Sequence, residues 1–165
     1  MPGIDECLLE TMRLPGARSA AVIDWVSGLA LGVAGEAPGG DYEAAACETA
    51  ELARMVAEYR SLGPLSAAGQ PDGASAPPAT GTPTVDGDRV PPPEAVPAPA
   101  PVHTAGPAPV VEDIITTNRD SYHLLRFVPG ALDGTLFLHL WLARDEGNLA
   151  LARRRLAEIA QRMVL

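Results

Sequence analysis

Lysine is absent from this 165-residue sequence, and all 12 basic residues are arginine. A Walker A loop needs its lysine on the nucleotide phosphates. A pyridoxal Schiff base and the ATP-binding site of a protein kinase need one as well, so these chemistries are excluded together. Cysteine is scarce: Cys7 and Cys47 lie far apart, and no CxxC or Cys/His spacing suited to zinc occurs. Both read as small buried hydrophobes within helical patterns. Aromatic residues make up only 4% of the chain, so a core must be built from Leu, Val, Ile and Ala, for which a hydrophobic content of 47% suffices. Acids outnumber cations and give a net charge of −9, which argues against a nucleic-acid surface and against docking on anionic lipid. No basic segment followed by an apolar core opens the chain, and no apolar run approaches the ~20 residues of a membrane span. The expectation is a cytoplasmic protein with reduced thiols and no membrane insertion.

Proline is concentrated where the other features thin out. Residues 63–109 hold 13 of the 17 prolines, including Pro91-Pro92-Pro93, and their apolar residues are mostly Ala. Such a segment buries too little surface to offset its ordering entropy, so a disordered Pro/Ala-rich insert sampling polyproline II is predicted. It reads as a tolerated loop insertion, a ligand for an SH3-like domain or a phosphorylation target being the functional alternatives. Residues 1–62 and 110–165 are then the two halves of one domain.

The first half reads helix, hairpin, helix. Ile4, Leu8 and Met12 recur every four residues until Pro15-Gly16 stops the pattern. Ala17 to Asp24 is strand-like, Trp25 to Gly28 is a turn, and Leu29 to Val33 returns as a second strand. Asp41 is placed as the N-cap of a helix ending near Leu62, where Gly63-Pro64 closes it. The second half reads as strands at Val110–Thr117, Ser121–Val128 and Thr135–Ala143, followed by a helix with Leu149, Ala152, Leu156, Ile159 and Met163 at three- and four-residue spacing. In the Thr135–Ala143 strand the even leucines oppose Phe137, His139 and Trp141; with both faces bulky, it should be central and covered on both sides. The order α-β-β-α-β-β-β-α predicts an α+β fold with a five-stranded, mostly antiparallel sheet and helices on both faces.

The middle helix carries more apolar surface than one sheet contact needs. At 100° per residue its apolar arc spans roughly 220°, against the ~100° stripe of an ordinary surface helix. One part of the arc is large (Leu52, Met55, Val56, Tyr59) and one part small (Ala46, Ala50, Ala53, Ala57). The large side is expected to cover the sheet and the alanines to meet a helix of a second subunit. The strand after the insert, with Ile114 and Thr116, is expected at a sheet edge where it could pair with its own copy. Ala46, Ala50, Ala53, Ala57, Ile114 and Thr116 are therefore the candidate interface residues.

Catalytic patterns are missing. His139 between Phe137 and Trp141 reads as a packed histidine, and His123 beside Tyr122 similarly. No Gly-x-Ser-x-Gly elbow occurs, and the glycines at 35–40 lack a phosphate fingerprint. Asp5-Glu6 and Asp145-Glu146 read as helix-start acids. Glu112-Asp113 reads as solvated or as guarding a strand edge. No cofactor, metal site or enzymatic activity is predicted.

The ordered set of segments carries a resemblance. Ile4-Asp5-Glu6-Cys7-Leu8-Leu9-Glu10, Leu14-Pro15-Gly16-Ala17, Ala20 to Asp24, Ser27 to Gly32, Val111 to Thr117, Tyr122 to Arg126 and Asn148 to Arg153 together look like an actinobacterial member of the roadblock/dynein light-chain family. The resemblance covers both halves and skips the insert. It implies a profilin-like, roadblock sheet with one long helix on one face and the terminal helices on the other, and homodimers formed through the middle helix and third strand. It also implies a non-catalytic role in regulating or scaffolding a small Ras-like GTPase. The alternative is a small-molecule sensor that holds a ligand between sheet and helix.

Overall fold

Leu136, Leu138, Leu140 and Leu142 alternate with Phe137, His139 and Trp141, and the strand they form is the spine of the fold. All but Trp141 are buried. A computed structural model of the chain describes residues 3–63, 110–130 and 134–163. The elements are α1 (Ile4–Thr11), β1 (Ala17–Asp24), β2 (Leu29–Gly35), α2 (Tyr42–Glu58), β3 (Asp113–Thr117), β4 (Ser121–Phe127), β5 (Leu136–Ala143) and α3 (Leu149–Arg162). The strands form one sheet in the order β2-β1-β5-β4-β3, with every neighbouring pair antiparallel. The predicted α+β architecture and its element order are what the chain adopts.

Two apolar layers follow from the alternation along β5. The leucine face packs with Ala20, Val22 and Leu124 against Cys7 and Leu8 of α1 and Ala152, Leu156, Ile159 and Ala160 of α3. Ala21, Ile23, Leu125, Phe127 and Phe137 on the other face receive α2. Gly32 lets α1 lie close, because a Cβ there would stand 2.6 Å from the Ile4 side chain. Gly28 closes the β1–β2 turn with φ +76°, a conformation glycine adopts without steric cost.

Element ends differ from the sequence reading. α2 stops at Glu58, and Arg60–Leu62 form a separate 3₁₀ turn. β2 runs on to Gly35, while β3 starts only at Asp113; before it, the Glu112 carbonyl accepts from the Phe127 N–H. Asp145 and Glu146 sit in the turn before α3, whose cap is Asn148, accepting from the Leu151 N–H at 3.0 Å; of the two acid pairs, Asp5-Glu6 alone occupies a helix first turn. Apart from Gly63, the predicted insert lies outside the described residues.

Candidate protein interface

α2 is fixed at its start and along one flank. Asp41 accepts hydrogen bonds from the backbone N–H groups of Glu43 and Ala44, satisfying orphan amides at the positive helix end. The Tyr42 hydroxyl donates to the Gly35 carbonyl at the end of β2. Arg54 donates to the carbonyls of Trp25 and Val26 at 3.0 and 3.1 Å, and the Cys47 sulfur lies 3.8 Å from the Gly28 carbonyl. This flank, which also carries Glu43, Glu51 and Glu58, is tied to the β1–β2 turn.

The rotation of α2 reverses the predicted faces. Ala46, Ala50 and Ala53 are at most 1% exposed and lie against the sheet, not toward a neighbouring molecule; Ala57 is half-buried at the border. The reason is that the sheet supplies the bulk. Phe127 and Phe137 meet edge to face at 6.3 Å between ring centres under the helix, and small residues let its backbone descend onto them. Larger side chains would hold the helix off. The excess apolar surface therefore lies on the large residues. Met55 is 44% and Tyr59 55% exposed, with Leu52 and Val56 half-buried beside them. Cys47 also departs from expectation, being exposed, whereas Cys7 is buried.

β3 is the last strand of the sheet, as expected, and among the described residues nothing pairs with its outer side. Ile114 is half-buried against the same cluster as the α2 alanines, and Thr116, two residues on, is exposed. Asp113 is neither solvated nor an edge guard: it pairs with Arg126 at 3.3 Å and with Arg153 of α3 at 2.7 Å. Glu112, more exposed, pairs with Arg126 at 3.1 Å. The start of the edge strand is thereby bound to the opposite helical layer.

A feature the sequence did not disclose is a stack of His123, His139 and Trp141 on the α2 side of the sheet. His123 Nδ1 is 3.0 Å from His139 Nε2, and the His123 ring lies 5.3 Å from that of His139 and 6.1 Å from that of Trp141. Strand register could have signalled it, since β4 and β5 place His123 opposite Trp141 and Leu125 opposite His139. Burial, and secondarily the neighbouring His123, lowers the His139 pKa to about 3; burial lowers that of His123 as well. His139 is thus neutral and shut away from solvent at neutral pH, packed against His123. Among the described residues, no group of acids, histidines and cysteines is arranged to hold a metal ion, and no helix is long and apolar enough to cross a membrane.

A single sheet in this strand order, with one long helix on one face and two on the other, invites comparison with solved folds. Myxococcus xanthus MglB superposes with a TM-score of 0.58 at 11% identity, over 95% of this chain and 90% of that one. A roadblock/LC7 domain from Streptomyces avermitilis gives 0.57 at 13% identity, over 97% and 93%. The chain has the roadblock fold. The gliding protein MglB of Thermus thermophilus matches it at 0.57 and 14% identity, over 95% of this chain and 82% of that one. No family model and no curated protein matches the sequence. At these identities the likeness to the roadblock structures is one of fold.

Proposed function

We propose that this chain is a non-catalytic, homodimeric roadblock module of actinobacterial type, working in the cytoplasm to regulate or scaffold a small Ras-like GTPase. The observation that supports this reading is the outer side of α2. Met55 and Tyr59 stand in solvent with Leu52 and Val56 beside them, on the same side of the sheet as Ile114 of edge strand β3, whose outer side has no partner among the described residues. A second copy related by a two-fold axis would bury both features at once. The candidate surface is thus Leu52, Met55, Val56 and Tyr59 with Ile114 and Thr116, while the alanines serve the core. The GTPase assignment rests on the family resemblance of the sequence together with the roadblock fold.

Sedimentation velocity over a hundredfold concentration range tests the dimer. Co-purification from native cytosol with and without GTP, read by mass spectrometry, tests the partner. A monomer at every concentration removes the dimer, and recovery of no GTPase under either condition removes the regulatory role.

A further inference from the structure

At the end of the sheet beside Trp141, a cleft of about 420 Å³ is lined by Arg18, Arg119, Asp120, Ser121, Trp141, Ala143, Arg144 and Asp145. The arginines around it differ from those on α3. Arg153, Arg154, Arg155 and Arg162 all hold carboxylates at 3.0 Å or less. Among the described residues Arg119 has no ion-pair partner, and the Arg144 guanidinium donates only to the Asn118 carbonyl at 3.2 Å while lying over the Tyr122 ring. Arg18 reaches Glu36 only at 3.5 Å, with both side chains largely exposed. Three arginines from three separate segments thus line one cleft without tight neutralisation, in a chain of net charge −9.

Asp120 and Asp145 share the cleft and leave it about one positive charge. That balance favours a singly charged group over a dianionic phosphate, which the two acids would repel. Trp141 and Ala143 form an apolar wall, and the Trp141 indole N–H is buried with no acceptor among the described residues.

We propose that this cleft binds a carboxylate attached to an apolar body, with Arg119 and Arg144 holding the carboxylate and Trp141 packing the body. The carboxylate is either that of a free small molecule or that of a Glu or Asp side chain on a protein. The proposal uses none of the residues of the dimer surface and stands whether or not that surface pairs.

The test is ¹H–¹⁵N NMR of the full chain, whose two tryptophans give two indole signals. Trp25, whose indole donates to the Gly134 carbonyl at 3.2 Å, serves as internal reference. Benzoate and an N-acetylated peptide with one Glu are titrated separately, beside inorganic phosphate and sodium chloride at matched ionic strength. The expected result is a saturable shift of the Trp141 signal with the Trp25 signal still, weakened about tenfold in Kd by Arg119→Gln. Saturation by benzoate identifies a small-molecule carboxylate as sufficient; saturation by the peptide alone identifies a protein side chain. The proposal is overturned by no saturable shift with either probe, by an equal shift with chloride, by tighter binding of phosphate, or by an Arg119→Gln Kd equal to that of the parent.

Discussion

His123 Nδ1 and His139 Nε2 face each other at 3.0 Å, so a single proton lies between two rings, one half-buried and the other 3% exposed. With its pKa lowered to about 3 by burial, His139 stays neutral in the folded protein while the unfolded chain takes up a proton near the ordinary value of about 6.5. The unfolded state therefore binds more protons over that interval. The stability associated with His139 is complete above about pH 6.5 and is lost as pH falls toward 3, at up to about 1.4 kcal/mol per pH unit. Burial depresses His123 in the same direction, with Asp120 opposing it. Urea unfolding at pH 7.5, 6.0 and 5.0 should show this slope, and His139→Gln should flatten it. An unchanged pH slope in the variant would mean that the acid sensitivity arises elsewhere.

Ala50→Leu tests which face of α2 meets the sheet. Ala50 is 1% exposed above the Phe127–Phe137 pair, and three added carbons have no space there. Overpacking should cost about 1–3 kcal/mol of unfolding free energy, measured by urea denaturation with native-like circular dichroism at zero denaturant. A loss below about 0.5 kcal/mol would show that this face has room to spare.

Much of the architecture was legible because each signal was local. Pro15-Gly16 ends α1, the apolar run of β5 is bulky on both faces, and Asp41 caps α2 as its position suggested. The interface was less legible. Periodicity shows how wide the apolar arc of α2 is, but its rotation depends on what the sheet presents, and Phe137, supplied by a strand distant in sequence, decides that small residues go underneath. The histidine stack was hidden for a related reason, since it needs the register of β4 on β5. The shorter ion pair of Asp113 likewise depends on Arg153, 40 residues away on the other layer.

Gly35→Ala should be among the most damaging single-methyl additions. Gly35 has φ +90° at the end of β2, where a Cβ would collide with the Arg18 carbonyl oxygen and stand 2.8 Å from the Met12 side chain and 2.9 Å from the Ser19 Cα. Backbone strain and the clash act together, and the same residue's carbonyl accepts from Tyr42 at the start of α2. A loss of at least about 2 kcal/mol is expected in thermal or urea unfolding. Gly39→Ala is the control: its φ of +67° is also positive, but nothing lies within 4 Å of the added carbon, so only the conformational cost of about 1 kcal/mol should remain.

Met55→Glu separates partner surface from core. Met55 is 44% exposed on the side of α2 turned from the sheet, so a charge there meets water in an isolated protomer and should change unfolding free energy by no more than about 0.5 kcal/mol. Across a two-fold interface the same change sets a carboxylate, and its symmetry mate, into an apolar contact. Desolvation and mutual repulsion should then raise the dimer Kd by about tenfold or more in sedimentation equilibrium. Ala53→Ser serves as the opposite case: at 0% exposure under the helix it should lower protomer stability, while its effect on the Kd should be confined to what that loss of stability transmits. If Met55→Glu leaves the Kd where it was and Ala53→Ser shifts it directly, the outer side of α2 is not the contact, and the apolar excess of this helix has some other occupant.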